Sequence, residues 1–169
     1  MVSLANNTAH QPYAIRPYET AHQQETLAFL SSVFAESGKV FDICGRHCMY
    51  ADITHNFERF WLLFDGRAII GTAAVRAHKG TVCELKALYI LQKYYGQKLG
   101  YALLQTAIAF AQSRRFTSLL LDTVSSSIRA LKLYEKMGFR RIPRYNDNPY
   151  ADIFMELNLT ELQSQAGET

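Results

Sequence analysis

No apolar stretch of this 169-residue sequence approaches bilayer length. Runs such as Ala68 to Val75 and Leu119 to Leu121 break off after a few residues, so no transmembrane helix and no membrane partner are expected. The N-terminus lacks the basic segment and apolar core of a secretory signal, which predicts a cytoplasmic protein with reduced thiols. Cysteine is scarce. Its three copies, Cys44, Cys48 and Cys83, cannot all pair, and no second CxxC or HxxxH completes a four-ligand zinc shell. The nearness of Cys44, His47 and Cys48 is therefore read as packing rather than metal binding, with the cysteines as small buried hydrophobes. No strong charge bias exists either: the formal net charge is +3, and Lys and Arg are scattered apart from pairs such as Arg114-Arg115 and Arg140-Arg141. A nucleic-acid partner is not expected from such a surface. The chain contains neither the dinucleotide GxGxxG nor the P-loop GxxxxGK[ST], which disfavours NAD, FAD and ATP hydrolysis.

What the chain does have is the length for one substantial core, with 49% hydrophobic and 20% charged residues. Residues 1–11 and 160–169 are polar and aperiodic and are expected to be frayed tails around one domain over 12–159. The spacing predicts a strand over Tyr13 to Arg16 and a helix over Glu19 to Glu36, with Leu27, Leu30, Val33 and Phe34 on one face. Lys39 to Asn56 reads as a short helix and loops. Phe57 to Phe64 and Arg67 to Arg76 flank Asp65-Gly66, a dipeptide suited to a type I′ hairpin turn. Val82 to Ile90 is a further strand, Gly96 to Gln112 an amphipathic helix, and Thr117 to Thr123 a buried strand. Ser127 to Lys136 then forms a helix ended by Gly138, and Phe139 to Pro143 and Ala151 to Leu157 are closing strands. This order describes a mixed α/β domain.

The chemistry concentrates in the strand, loop and helix from Val82 to Gln112. Tyr95-Gly96-Gln97-Lys98-Leu99-Gly100-Tyr101 opens the helix, where free main-chain N–H groups and the dipole favour a phosphate or diphosphate. Gly96 and Gly100 let the backbone approach such a ligand, or else serve loop entry and helix packing. Leu88-Tyr89-Ile90 leads into this loop, and Leu131-Lys132-Leu133-Tyr134-Glu135-Lys136-Met137-Gly138-Phe139 follows one strand later. The pairing resembles the GNAT acetyltransferase superfamily, whose motif A is a strand followed by [Q/R]xxGx[G/A] and whose motif B often reads LYExxGF. The resemblance covers nearly the whole chain from Tyr13 to Leu157. Cys83 to Tyr89, Leu121-Asp122-Thr123, Asp147-Asn148-Pro149 and Phe154 to Leu157 look like a small bacterial single-domain subgroup. Two positions depart from motif A: Tyr95 stands in place of Gln or Arg, and Lys98 in place of the central Gly. Main-chain N–H groups tolerate such changes while φ stays negative, and Lys98 adds a cation near the diphosphate. Ser127 stands where many members carry Asn.

The resemblance implies a GNAT fold: a mostly antiparallel twisted sheet flanked by helices, with a splayed strand pair at an acetyl-CoA site. It also implies direct attack of an amine on the thioester in a ternary complex, without metal. The implied cofactor contacts are Leu88, Tyr89, Ile90, Tyr95, Gly96, Gln97, Lys98, Leu99, Gly100, Tyr101 and Ser127, with the Ile90 N–H near the thioester carbonyl. Tyr134 matches the tyrosine proposed as general acid toward the departing sulfur; its other reading is core, since Ala130, Leu133, Tyr134 and Met137 share a helix face. Glu84, by the period of two, shares a face with Lys86 and Leu88, and is either the general base or a partner for Lys86. The expected acceptor is a small amine or amino-acid-like molecule: Asp42, Arg46, His47, Asp52, Arg144, Asn146 and Asp147 with Phe41, Tyr50, Tyr145 and Tyr150 either form a lining suited to a compact zwitterion or are ordinary surface charges on loops. A silent acyl-CoA sensor and a peptide or N-terminal acetyltransferase are the alternatives, and the expected assembly is a monomer or homodimer.

Overall fold

The computed structural model describes residues 13–161, so the expected tails lie outside the described residues, except for 160–161, which form a helical turn with Leu159. Seven strands make one sheet in the order β1-β2-β3-β4-β5-β7-β6. The first four are β1 (Tyr13–Pro17), β2 (Arg59–Asp65), β3 (Ala68–Lys79) and β4 (Val82–Ile90), an antiparallel meander. β4 then pairs in parallel with β5 (Ser118–Thr123), and the connection between them is the helix α3 (Leu99–Ser113). A parallel pair needs such a crossover. β7 (Ile153–Asn158) inserts antiparallel between β5 and the edge strand β6 (Arg140–Arg141). The other α-helices among the described residues are α1 (Gln23–Glu36), the single turn α2 (Ile53–Asn56) and α4 (Ile128–Lys136).

Both faces of the sheet are covered, which explains why β2 reads Phe60-Trp61-Leu62-Leu63-Phe64 without polar alternation. Trp61 and Leu63 join Leu103, Leu104, Ala107 and Tyr134 in a core beneath α3 and α4. Phe60, Leu62 and Phe64 face the other way, into a core with Phe29, Leu30, Val33 and Phe34 of α1. Each such side chain contributes roughly 1.5–3 kcal/mol by leaving water.

Element boundaries move where backbone geometry intervenes. The β2–β3 turn centres on Gly66-Arg67, since Asp65 pairs with Ala68, and only Gly66 has positive φ (59°). That pattern belongs to a type II′ turn rather than the I′ turn expected from Asp65-Gly66. Helix α1 is preceded by a 3-10 turn at Thr20–His22, so its α-helical part starts four residues later than Glu19. Helix α3 starts at Leu99, not Gly96, for a reason that matters to the site.

Candidate active site

β4 and β5 pair over only three positions: Val82 with Ser118, Cys83 with Leu119, and Glu84 with Leu120. Beyond them the strands diverge into a fork. On the β3 side, Ala87 adopts φ +54° and the register slips between Thr72 and Ala74, the signature of a β-bulge. Thr72 Oγ1 donates a 2.6 Å hydrogen bond to the Ala87 carbonyl, which keeps this buried group satisfied. The extra residue reverses the faces of everything after it. Leu88 and Ile90 pack with the α3/α4 core, whereas Ala87 and Tyr89 pack with the α1 core. Leu88 therefore does not share the Glu84–Lys86 face, because the two-residue period does not run through a bulge. The Leu91 N–H bonds to Ile70 O at 3.1 Å, so antiparallel alternation turns the Ile90 N–H away from β3 and toward the fork.

At the mouth of the fork lies the N-terminus of α3. Its first intrahelical bond is Ala102 N–H to Lys98 O, so the N–H groups of Leu99, Gly100 and Tyr101 have no acceptor within the helix. Gly96 has φ +82° and Lys98 φ +61°, and this left-handed pair turns the chain so that successive N–H groups line a concave surface. The expectation of negative φ at Lys98 is thus overturned: the residue caps α3 in the left-handed region and ends the possibility of helix before it. A Cβ on Gly100 would stand 3.5 Å from Ile90 Cδ1 and from Leu133 Cδ2, ordinary contact that marks close packing of α3 on β4 and α4.

Fork and helix end open into one cleft of about 1440 Å³. Leu88, Tyr89, Ile90, Tyr95, Gly96, Lys98, Leu99, Gly100, Tyr101 and Ser127 all line it. Gln97 does not; its Oε1 accepts a hydrogen bond from Tyr13 OH at 2.6 Å.

Tyr134 reaches the cleft from α4, and the helix ending explains its neighbours in sequence. Gly138 N–H bonds to Glu135 O and Phe139 N–H to Tyr134 O, a Schellman ending with Gly138 at φ +94°. The Tyr134 and Phe139 rings pack against each other at 5.7 Å, the apolar contact that accompanies this motif. The core reading of Tyr134 holds, and the same side chain reaches the cleft. The side chain is 6% exposed within the α3/α4 core, yet it lines the cleft, and no described residue hydrogen-bonds its hydroxyl. Burial pushes its phenol well above the ordinary value, so the group stays protonated and can donate.

A charged cluster spans the fork. Lys86 Nζ lies 3.3 Å from Glu84 Oε1 and 3.4 Å from Asp122 Oδ1, joining β4 to β5 just past their last paired residues. Tyr145 OH donates to Glu84 Oε1 at 2.9 Å, and His78 Nδ1 stands 4.0 Å from Glu84 Oε2. Asn146 and Asn148 donate to Asp122 Oδ2 at 2.7 and 3.1 Å. Burial alone would raise the Asp122 carboxyl, but Lys86 and the two asparagines outweigh it and hold the group below the usual range. Glu84 is thus paired with Lys86, and sequence reasoning singled out neither Asp122 nor Lys86 as a site residue. Their available signal was position: each sits two residues past the last β4–β5 pair.

The Acetyltransferase (GNAT) family matches residues 19–139, which includes the fork, the α3 N-terminus and Tyr134. The chain belongs to the GNAT family. An N-acetyltransferase of Schizosaccharomyces pombe is 31% identical over 94 residues, covering 54% of this chain and 58% of that protein. The N-acetylaspartate synthetase of Mus musculus is 29% identical over 106 residues, covering 59% of this chain and 35% of that protein. The matched part thus spans little more than half, or about a third, of these relatives. Among solved structures, a GNAT acetyltransferase of Staphylococcus aureus superposes with TM-score 0.80 at 22% identity, over 87% of this chain and 99% of that one. A Salmonella typhimurium acetyltransferase crystallised with acetyl-CoA superposes with TM-score 0.67 at 17% identity, over 88% and 94%. Both share the GNAT fold.

Against GNAT motif A, the geometry explains why a glycine is usual at the Lys98 position: φ is +61° there, which glycine adopts without strain. The acceptor-side expectations divide. Arg46, His47, Tyr50, Asn146 and Tyr150 line the cleft, whereas Phe41, Asp42, Asp52, Arg144, Tyr145 and Asp147 are not among its lining residues. Asp52 instead caps α2 through the His55 N–H, and Arg144 binds the carbonyls of Asn148 and Ala151. His47 stacks on Phe41 and accepts from the Asp42 N–H at Nδ1; burial and the neighbouring Arg46 lower its pKa. Cys83 is buried, but Cys44 and Cys48 are exposed, contrary to the reading of all three as core. Their loop precedes α2 and does not carry them inward. Among the described residues no group of three His, Cys, Asp or Glu is placed to hold a metal ion, and no helix is long and apolar enough to cross a membrane.

Proposed function

We propose that this GNAT protein transfers an acetyl group from acetyl-CoA to the primary amine of a small acceptor, by direct attack in a ternary complex. The observation that carries this reading is the fork, with the unpaired N–H groups of α3 at its mouth and the free Tyr134 hydroxyl along the same cleft. The diphosphate of the cosubstrate meets Gly96 to Tyr101, less Gln97, through main-chain N–H groups. Its pantetheine arm runs into the fork past Leu88, Tyr89, Ile90 and Ser127, and the Ile90 N–H supports the developing oxyanion. The amine nitrogen then bonds to the carbonyl carbon and the carbon–sulfur bond breaks. Tyr134 gives its proton to the departing sulfur, and the proton lost by the amine passes to the Glu84 carboxylate. The products are an N-acetylated amine and the CoA thiol.

A small acceptor is favoured by the way the acceptor end is spanned. The Arg46 guanidinium lies 3.8 Å above the Tyr150 ring, joining the loop before α2 to the loop before β7. N-acetylaspartate synthetase, a relative named for a small product, adds support. Thiol release from acetyl-CoA with a panel of amino acids, polyamines, aminoglycosides and lysine-rich peptides tests the reading. Small amines are expected to drive release above the rate without amine; release with peptides alone overturns the small-acceptor assignment, and release with none overturns the enzyme.

A further inference from the structure

We infer that the acceptor is an amine accompanied by two carboxylates, an amino acid with an acidic side chain, and that Arg46 and Arg76 read its anionic groups. This rests on the small-amine reading above and narrows it. A receptor for a simple amine or polyamine needs a carboxylate free to meet the ammonium. The lining offers two, and neither is left over to bind an ammonium: Asp122 is held by Lys86, Asn146 and Asn148, and Glu84, which meets the neutral nitrogen only as its base, is already paired with Lys86 and Tyr145. The aspartates that might have served a zwitterion, Asp42 and Asp52, do not line the cleft.

The cations there are in the opposite condition. Arg76 is the cross-strand partner of Glu84 and lies on the Ala74 face of β3, which is the α1 side. Even so, among the described residues no carboxylate stands within 4.0 Å of its guanidinium, because Glu84 turns to Lys86 and His78 instead. Arg46 likewise has no carboxylate partner among the described residues. Its plane is held on the Tyr150 ring, a stacking that fixes the guanidinium while leaving its N–H edges free for bidentate contact. Its charge is felt at the Tyr89 phenol, within the fork where transfer takes place.

These two are not needed for the cosubstrate. Lys98, in the loop before α3, and Arg129 and Lys136, on α4, line the cleft at the end where the diphosphate belongs. The surplus positive charge on the α1 side has a second effect: it disfavours an ammonium and so releases the neutral amine that attack requires. A molecule drawn in by its carboxylates thus delivers its nitrogen in the reactive form.

The test compares aspartate and glutamate with their near-isosteric amides, asparagine and glutamine, and with 1,4-diaminobutane. The dicarboxylic amino acids are expected to show kcat/KM at least tenfold above the amides, with the preference shrinking as salt is raised. Arg46→Gln and Arg76→Gln should each raise KM for the dicarboxylates tenfold or more, with kcat the smaller change, and Arg46→Lys should recover only part of the loss. Unfolding midpoints of the variants exclude loss of fold as the cause. Equal use of amides and acids, or preferred use of the diamine, overturns the inference while leaving acetyl transfer to a small amine intact. Should no amine turn over, the small-amine enzyme falls, and calorimetric titration of the CoA-loaded protein with aspartate and asparagine still decides the inference: tighter aspartate binding supports it, and equal or absent binding overturns it.

Discussion

Lys98 holds a left-handed backbone that costs an L-residue roughly 1–2 kcal/mol, and it does so at the entrance to α3, whose N-terminus lines the cleft. Lys98→Gly removes that strain, partly offset by the added freedom of glycine in the unfolded chain. The substitution is expected to raise the melting temperature by about 2–4 °C, corresponding to about 1 kcal/mol. It should also weaken acetyl-CoA binding at low salt, with the difference fading at high salt, because the cation proposed to stand beside the diphosphate is gone. Tyr134→Phe probes a different property: it keeps the ring that packs on Phe139 and deletes the hydroxyl. Turnover should fall by roughly tenfold or more while calorimetry finds acetyl-CoA affinity nearly unchanged, as befits a donor used in the transition state. The sequence pointed to both residues through motif position. What it did not carry was the sign of φ at Lys98, which is set by how the loop must turn between β4 and α3 rather than by any local preference of lysine.

Between residues and the whole stands the bulge in β4, and Thr72 of β3 is its fastening. Thr72→Val preserves shape but leaves the buried Ala87 carbonyl without its 2.6 Å hydrogen bond. A loss of about 1–3 kcal/mol in unfolding free energy is expected, measured by denaturant titration, together with weaker acetyl-CoA binding as the strand straightens toward regular pairing. Unchanged stability would mean that the carbonyl finds another donor. Periodicity located β2, β3, β4, α3 and α4 because each buries a continuous face, and Gly138 with Phe139 foretold where α4 ends. Periodicity could not see the bulge. Nothing in Lys86-Ala87-Leu88 requires φ +54° at Ala87; the requirement comes from register with β3, a partner that lies more than a dozen residues away in the chain. Misplacing Leu88 on the Glu84 face followed directly from carrying the alternation through that point. The charged cluster was hidden for a related reason, since Lys86 and Asp122 meet only after β4 and β5 have been brought side by side.

At the scale of the molecule, a ligand that binds only the folded fork must stabilise the fold by mass action. Acetyl-CoA at a hundredfold excess over its dissociation constant should add about 2.7 kcal/mol, visible as an upward thermal shift, whereas NAD at equal concentration should add little. A larger shift with NAD would contradict the reading of the α3 loop as a CoA site. The same fork divides the sheet mechanically. Strands β1 to β4 form one leaf and β5, β7 and β6 another, and the two leaves share a seam of three residue pairs tied across its open end by Lys86. Such a seam breathes before either leaf melts, so the amides of Ser118 to Leu120 should exchange with solvent sooner than those of β3, and a bound cosubstrate, wedged where strand pairing stops, should act as the keystone that slows them.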